Sequence, residues 1–209
     1  MLRMIAALVL ACLTGAPAWG QTDDAFPVRG SSVEAEQVLD SFARCVAENR
    51  APFARQVLQQ PLGSKEQGAM IRAHLPSGPN DCLGSRGLKL VFRPIPFAGG
   101  LASYFLTVRY PRYDLPELVR GAPAPILERP PERFGLCVVQ HDTAGSVALV
   151  KTRLGGAEAD AAVAAMGPAL SACVTPGATV HLDKLGLRSA VAVVLYRYAA
   201  AAEDGAARN

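Results

Sequence analysis

The chain has 209 residues, of which 50% are hydrophobic and 19% are charged, and its formal net charge at neutral pH is +3. This composition excludes wholesale disorder, which requires low hydrophobicity together with a high net charge. The 21 basic residues barely outnumber the 18 acidic ones and are scattered, so the sequence predicts no nucleic-acid partner. The length fits one large globular domain or two small ones.

Residues 1–20 have the pattern of a secretory signal peptide: a basic start, ten apolar residues and a run of small residues. That apolar stretch is too short to cross a bilayer core, which takes roughly 20 residues, so we expect no transmembrane segment in the mature chain. Small residues at Ala18 and Gly20 predict cleavage before Gln21, with cleavage after Ala18 as the alternative. Acylation of Cys12 as a lipoprotein is less favoured, because only eight apolar residues precede it. The predicted location is the periplasm or the extracellular medium.

Four cysteines remain after the predicted signal peptide is removed: Cys45, Cys82, Cys137 and Cys173. An even number of cysteines in an exported chain is typical of disulfides formed in an oxidising compartment. Spacing alone leaves three pairings open. A zinc site built from all four cysteines is a less favoured alternative, because these cysteines are widely spaced and the chain is exported.

The body of the sequence repeats once. A Phe-x-x-Cys-Val motif at 42–46 recurs at 134–138 with an offset of 92, and a Leu-Gly-x-x-Glu motif at 62–66 recurs at 154–158 with the same offset. The second cysteines then match at an offset of 91, and later apolar positions match at 90. Two single-residue gaps with both cysteines in phase indicate a duplication rather than chance.

The repeat predicts two homologous halves packed together, residues 31–109 and 133–199. If the halves are equivalent, each closes its own disulfide, and the predicted pairs are Cys45–Cys82 and Cys137–Cys173. A proline-rich linker, residues 110–132, would join the halves as an extended segment with one helical turn at 115–119.

Capping residues and apolar spacing of three to four predict about four helices in each half, so the predicted class is mainly α. The predicted helices span residues 31–49, 52–58, 64–75 and 97–108 in the first half, and 134–141, 143–151, 157–166 and 185–199 in the second. Short extended segments at 88–92 and 179–182 could pair as a two-stranded ribbon. Residues 21–30 and 200–209 are predicted to be disordered.

No catalytic or metal-binding signature emerges. His74, His141 and His181 lie far apart in the sequence, so we predict no metal and no cofactor. The adjacent pair His141 and Asp142 cannot face each other on a helix, which favours a helix end followed by the next helix cap. Glu66 and Glu158 recur in both halves, and helix capping explains them better than paired acid–base catalysis.

One segment has the composition of an interaction surface. It contains Arg109, Tyr110, Arg112 and Tyr113, and arginine and tyrosine are frequent in interface hot spots. The alternative is that the tyrosines cover the seam where the linker leaves the last helix of the first half.

Four units resemble a pattern found in uncharacterised exported proteins of alphaproteobacteria: Phe-Gly-Leu-Cys137-Val-Val, Leu154-Gly-Gly-x-Glu158, Cys173-x-x-x-Gly177 and the Leu187–Arg197 segment. The resemblance covers about two thirds of the chain and implies export and a duplicated two-cysteine helical unit, but no activity.

The leading hypothesis is a non-enzymatic, disulfide-stabilised helical protein that acts through protein or envelope contacts. A carrier of a small apolar ligand or lipid, with a cavity between the halves, is the alternative. An exported hydrolase is the third reading. The sequence identifies neither the partner nor the oligomeric state.

Overall fold

The computed structural model describes residues 33–75, 82, 91–174 and 183–207. The predicted signal peptide, the N-terminal segment 21–30 and nearly all of the two predicted extended segments lie outside these residues.

The described residues form ten α-helices and one π-helix and contain no strand, so the mainly α prediction is confirmed. The elements in chain order are α1 (Val33–Asn49), α2 (Ala51–Gln59), α3 (Lys65–His74), α4 (Pro94–Tyr104), the π-helix (Phe105–Arg109), α5 (Leu115–Gly121), α6 (Pro130–His141), α7 (Thr143–Lys151), α8 (Ala157–Ala165), α9 (Gly167–Ala172) and α10 (Lys184–Ala207).

Side chains that cap helices set three of the helix starts. Ser64 accepts a hydrogen bond from the Gln67 amide at 3.0 Å and begins α3. Asp142 accepts one from the Gly145 amide at 2.7 Å and begins α7, while Asp183 caps α10 through the amide of Gly186. Each bond satisfies an amide that the helix itself leaves without a partner, so these boundaries follow from local sequence.

Prolines start more helices than the sequence analysis expected. α4 begins at Pro94 and α6 at Pro130, inside the predicted linker, and α9 carries Pro168 in its first turn. Proline lacks an amide hydrogen, but the first turn has no intrahelical partner for one, and its fixed φ suits a helix start. The helix predicted over 157–166 is therefore followed directly by a further short helix, α9, which the sequence analysis did not predict.

The last helix is longer than predicted. α10 continues to Ala207 rather than ending at 199, so most of the tail predicted to be disordered is helical. Four consecutive alanines, residues 199–202, explain the extension, because alanine has the highest helix propensity.

α4 and α10 form the centre of the fold, with α1 packed on α4 and α6 packed on α10. A methyl group at Gly99 of α4 would lie 2.5 Å from the Cα atom of Ser189 in α10, so these two backbones approach as closely as glycine allows. The core residues of α10 are fully or almost fully buried, namely Leu187 and Ala190–Leu195.

α10 is also the one helix in the described part of the chain that is long and apolar enough to cross a membrane, over Lys184–Gly205 with a mean hydropathy of 1.2. Its most apolar window is 72% buried inside the fold, as in a helix that forms the core of a globular domain. Length and composition are therefore weak grounds for a membrane span here.

Two disulfides tie the bundle, Cys45–Cys82 and Cys137–Cys173. Their Cα–Cα distances are 5.5 and 5.7 Å, within the usual range for disulfides. Of the three pairings that spacing left open, the structure has the predicted one, Cys45 with Cys82 and Cys137 with Cys173.

Candidate functional site: a cationic cleft

A cleft of about 410 Å³ lies where α1, the end of α4 and the π-helix, the end of α7 and the start of α10 meet. Most of its lining side chains are charged or carry hydroxyl groups: Asp40, Ser41, Arg44, Ser103, Tyr104, Thr107, Lys151, Thr152, Arg153 and Arg188. Four of these are cations and one is a carboxylate, so the cleft carries a formal excess of positive charge.

Arg188 of α10 lies at the base of this charge cluster. The residue is only 7% exposed, and its Nη2 atom donates to the carbonyl oxygen of Val150 at 3.0 Å. Its Nη1 atom lies 3.5 Å from Oδ1 of Asp40, and its buried Nε atom has no partner among the described residues. Arg188 thus satisfies one of the terminal carbonyls of α7, where the negative end of the helix dipole favours a cation.

Opposing electrostatic effects act on the guanidinium of Arg188. Burial lowers the pKa of its guanidinium, the nearby carboxylate of Asp40 opposes that effect, and the positive charge of Arg44 adds to it. A buried guanidinium, that of Arg188, and an exposed one, that of Arg44, therefore line the cleft with a single carboxylate. An anion bound between them would relieve the repulsion and complete the hydrogen bonding of a buried arginine.

The remaining cations lie at the rim. Arg44, Lys151 and Arg153 are exposed and line the cleft, where they can reorient toward a ligand. Guanidinium groups bind carboxylate and phosphate in a bidentate manner, whereas the lysine ammonium acts as a point charge.

Three hydroxyl groups of the cleft donate to the backbone of their own helices. Ser103 donates to the Gly99 carbonyl at 2.8 Å, Thr107 to the Ser103 carbonyl at 2.9 Å, and Thr152 to the Leu149 carbonyl at 2.7 Å. The hydroxyl protons of these three residues are committed, which leaves the four cations as the charged donors of the cleft.

The π-helix borders this cleft. The amide of Tyr110 donates to the Phe105 carbonyl at 2.8 Å, the five-residue step that defines a π-helix. This widened turn carries Thr107 into the cleft lining. Such turns are frequent at functional sites.

The interaction segment predicted from the sequence lies outside the cleft lining. Tyr110 is buried, and its hydroxyl donates to Oε2 of Glu203 at 2.7 Å. Arg109 lies 3.4 Å from the same carboxylate. Arg112 is exposed and lies 5.5 Å above the ring of Tyr113, so the arginines, rather than Tyr110, are the surface-exposed members of the segment.

Burial and the hydrogen bond to Glu203 raise the pKa of Tyr110 far above that of a free tyrosine. The same hydrogen bond lowers the pKa of Glu203. Tyr110 therefore acts as a donor to an ionised carboxylate and fastens the end of the π-helix to α10.

The other residues singled out from the sequence have structural positions. Glu66 and Glu158 lie in the first turns of α3 and α8, and hydrogen bonds from the Glu66 amide and Ser64 lower the pKa of Glu66. His141 ends α6 and Asp142 caps α7. None of the four lines the cleft.

Sequence reasoning missed Arg188. It lies within the Leu187–Arg197 segment that carries the resemblance, to which the sequence assigned no role. The available signal was a cation inside a long apolar segment, because a buried arginine needs a partner.

Comparisons with known proteins add no relative: no family model, no curated protein and no solved structure matches the chain. The chemistry of the cleft itself is thus the basis for assigning a function.

Proposed function

We propose that this protein is an exported, non-enzymatic binding protein whose cleft takes a carboxylate- or phosphate-bearing ligand. The observation that carries the proposal is the buried guanidinium of Arg188 beside Arg44, with Asp40 as the single carboxylate in the lining. A charge-assisted hydrogen bond contributes about 1.5–3 kcal/mol, so two or three of them suffice to hold a small anion.

A binding role is favoured over catalysis by the composition of the cleft. Its described lining contains neither histidine nor cysteine, and three of its hydroxyl groups donate to the backbone rather than to a base. Nucleophilic catalysis needs a hydroxyl or thiol within reach of a general base. The lining supplies charge without such a pair.

Export is supported by the two disulfides together with the pattern of residues 1–20. Disulfides persist in oxidising compartments and are rare in the cytosol. The ligand would then be met in the periplasm or outside the cell, either as a free anion or as the headgroup of an envelope component.

Two features of the fold also support the view that the chain is a duplication. α1 and α4 would correspond to α6 and α10, and each half contains a turn glycine with a left-handed φ, 73° at Gly63 and 71° at Gly155. These positions match at the offset of 92. On this view the cleft lies between unlike parts of the two halves, so one half does not suffice to build it.

A carrier of apolar ligands remains the second proposal. The cleft between the halves is polar, but an apolar recess of about 280 Å³ lies within the second half, lined by Phe134, Val163, Leu170 and Leu187 among others. Native mass spectrometry of the purified protein tests this proposal, because a co-purifying apolar ligand would favour it over anion binding.

Anion binding is tested by calorimetric titration of the mature protein with inorganic phosphate and with citrate at low salt. Arg44→Gln should weaken binding about tenfold or more, because it removes a charge-assisted hydrogen bond. Asp40→Asn should strengthen binding, since it removes the one competing carboxylate and releases Arg188. Arg133→Gln is the matched control, an exposed arginine of α6 outside the cleft lining.

The proposal fails if neither anion binds, or if Arg44→Gln and Arg133→Gln have the same effect. Added salt should weaken the interaction, because rim charges are screened over about 10 Å at 0.1 M ionic strength.

A further inference from the structure

The second disulfide has a histidine beside it. Cys137 lies in α6, His141 follows one turn later at the end of the same helix, and Cys173 is the C-terminal cap of α9. The sulfur atoms and one imidazole nitrogen all lie within 4.8 Å of one another. His141 is exposed and the two cysteines are half-buried, so the cluster is open to solvent from the histidine side.

Among the residues that the structure describes, no histidine lies beside the first disulfide. The position equivalent to His141, 92 residues earlier, is Asn49, whose side-chain amide donates to the sulfur of Cys45 at 3.2 Å. An amide nitrogen is not a ligand for a soft metal ion, whereas an imidazole nitrogen is one of the commonest. The two halves therefore differ at the position where a metal would need its third ligand.

We propose that Cys137, His141 and Cys173 form a Zn²⁺ site when their disulfide is reduced. Two thiolates and an imidazole are a known zinc ligand set, with water as the fourth ligand. Zinc bonds of about 2.0–2.3 Å place tetrahedral ligand atoms roughly 3.5–3.8 Å apart, a spacing that the cluster reaches once the sulfur–sulfur bond opens. The end of α6 adds a favourable negative potential for a cation.

Metal binding and the disulfide exclude each other. A dithiol reductant transfers two electrons and two protons to the Cys137–Cys173 bond and becomes a disulfide itself. Zn²⁺ then displaces both thiol protons to solvent as it binds the two thiolates. The cluster thus has an oxidised covalent state and a reduced metal-bound state. This inference is independent of the anion cleft, which shares no residue with it.

The test uses Co²⁺ as a spectroscopic substitute for Zn²⁺ on the mature chain, reduced with a phosphine in the absence of oxygen. We expect thiolate-to-cobalt charge-transfer absorption that saturates at one ion per chain. His141→Asn should weaken binding by at least tenfold, because even partners outside the first coordination sphere are worth about 10–100-fold. His74→Asn, at an exposed histidine of α3, is the control and should leave binding unchanged.

Paired serine variants locate the site. Replacing Cys137 and Cys173 should abolish the absorption, whereas replacing Cys45 and Cys82 should retain it. Circular dichroism of each reduced variant reports whether it is folded. If the reduced wild-type chain loses helix, Zn²⁺ should restore the helix in the wild type but not in His141→Asn. The proposal is overturned if the reduced chain shows no thiolate–cobalt absorption, if that absorption follows Cys45 and Cys82, or if His141→Asn binds as tightly as the wild type.

Discussion

The carboxylate of Glu132 and the guanidinium of Arg197 form an ion pair inside the protein, with Oε1 and Nη2 separated by 2.6 Å. Glu132 is fully buried and also accepts the amide of Leu62 at 2.7 Å and the amide of Arg129 at 3.2 Å. Arg197 donates further to the carbonyl of Gln60 at 2.9 Å. One buried carboxylate therefore joins α6, α10 and the turn before α3, so it links the two predicted halves.

Glu132→Ala should lower the free energy of unfolding by about 3–5 kcal/mol. Removing one partner of a buried pair leaves the other charge uncompensated, and here the amide of Leu62 also loses its acceptor. Urea denaturation followed by circular dichroism measures the change. Glu48→Ala, at an exposed position of α1, should change stability by less than about 0.5 kcal/mol; equal effects at the two sites would contradict a structural role for the pair.

The Tyr110–Glu203 hydrogen bond predicts losses of stability at both ends of the pH range. The pKa of Tyr110 is raised in the folded state, so its contribution is complete below the ordinary tyrosine pKa of about 10 and is lost as the pH rises above that value. The pKa of Glu203 is lowered, so its contribution is present above the ordinary carboxyl range and is lost as the pH falls through it.

Tyr110→Phe should therefore cost about 1–2 kcal/mol near neutral pH and flatten the stability profile above pH 10. Tyr113→Phe serves as the control, because the Tyr113 hydroxyl takes no part in the hydrogen bond between Tyr110 and Glu203. The measurement is the melting temperature of each variant from neutral pH to about pH 11. The prediction is contradicted if both variants lose stability with pH in parallel with the wild type. Both variants should still lose some stability at alkaline pH, because burial also raises the pKa of Tyr196.

Gly99→Ala should destabilise the fold by about 2 kcal/mol or more, despite the better helix propensity of alanine. The added methyl group would lie 2.5 Å from the Cα atom of Ser189, and only a backbone shift of α4 against α10 can relieve that overlap. Gly205→Ala in α10 meets no atom within 4 Å and should be neutral or slightly stabilising. Thermal unfolding of both variants distinguishes close helix packing from a general effect of glycine replacement.

Peptide mapping under non-reducing conditions, with free thiols alkylated first, should recover only the Cys45–Cys82 and Cys137–Cys173 pairs. The bridges span 37 and 36 residues, so chain entropy predicts a similar stabilisation of about 4 kcal/mol from each. A pair formed between the halves, or free thiols in the exported protein, would contradict this arrangement. The oxidised state must be mapped before any zinc experiment.

Intact mass of the exported protein tests the predicted cleavage site. Removal of residues 1–20 gives a mature chain that starts at Gln21 and contains no tryptophan, because Trp19 is the only one in the sequence. Its fluorescence should be that of tyrosine alone. A mature chain with tryptophan emission would start at Trp19 instead, and a lipid-modified mass would indicate acylation at Cys12.

Local signals in the sequence determined most helix boundaries. Ser64, Asp142 and Asp183 could be recognised as caps because a cap bonds to an amide two or three residues further along the chain. The cysteine pairing was also predicted from the sequence, since the predicted duplication assigns each cysteine a partner within its own predicted half, and the structure has these pairs. Prolines at the starts of α4, α6 and α9 were misjudged, because a proline that ends one helix can begin the next.

Tertiary structure alone decided the features that concern function. Arg188 meets Asp40 across 148 residues of sequence and Val150 across 38. Glu132 contacts Arg197 only after α6 packs against α10. His141 and Cys173 belong to different helices, and only folding brings them into one cluster. A sequence displays the periodicity of each helix, but the packing of one helix on another selects which buried charges meet. That selection depends on contacts between distant residues, which no local pattern encodes.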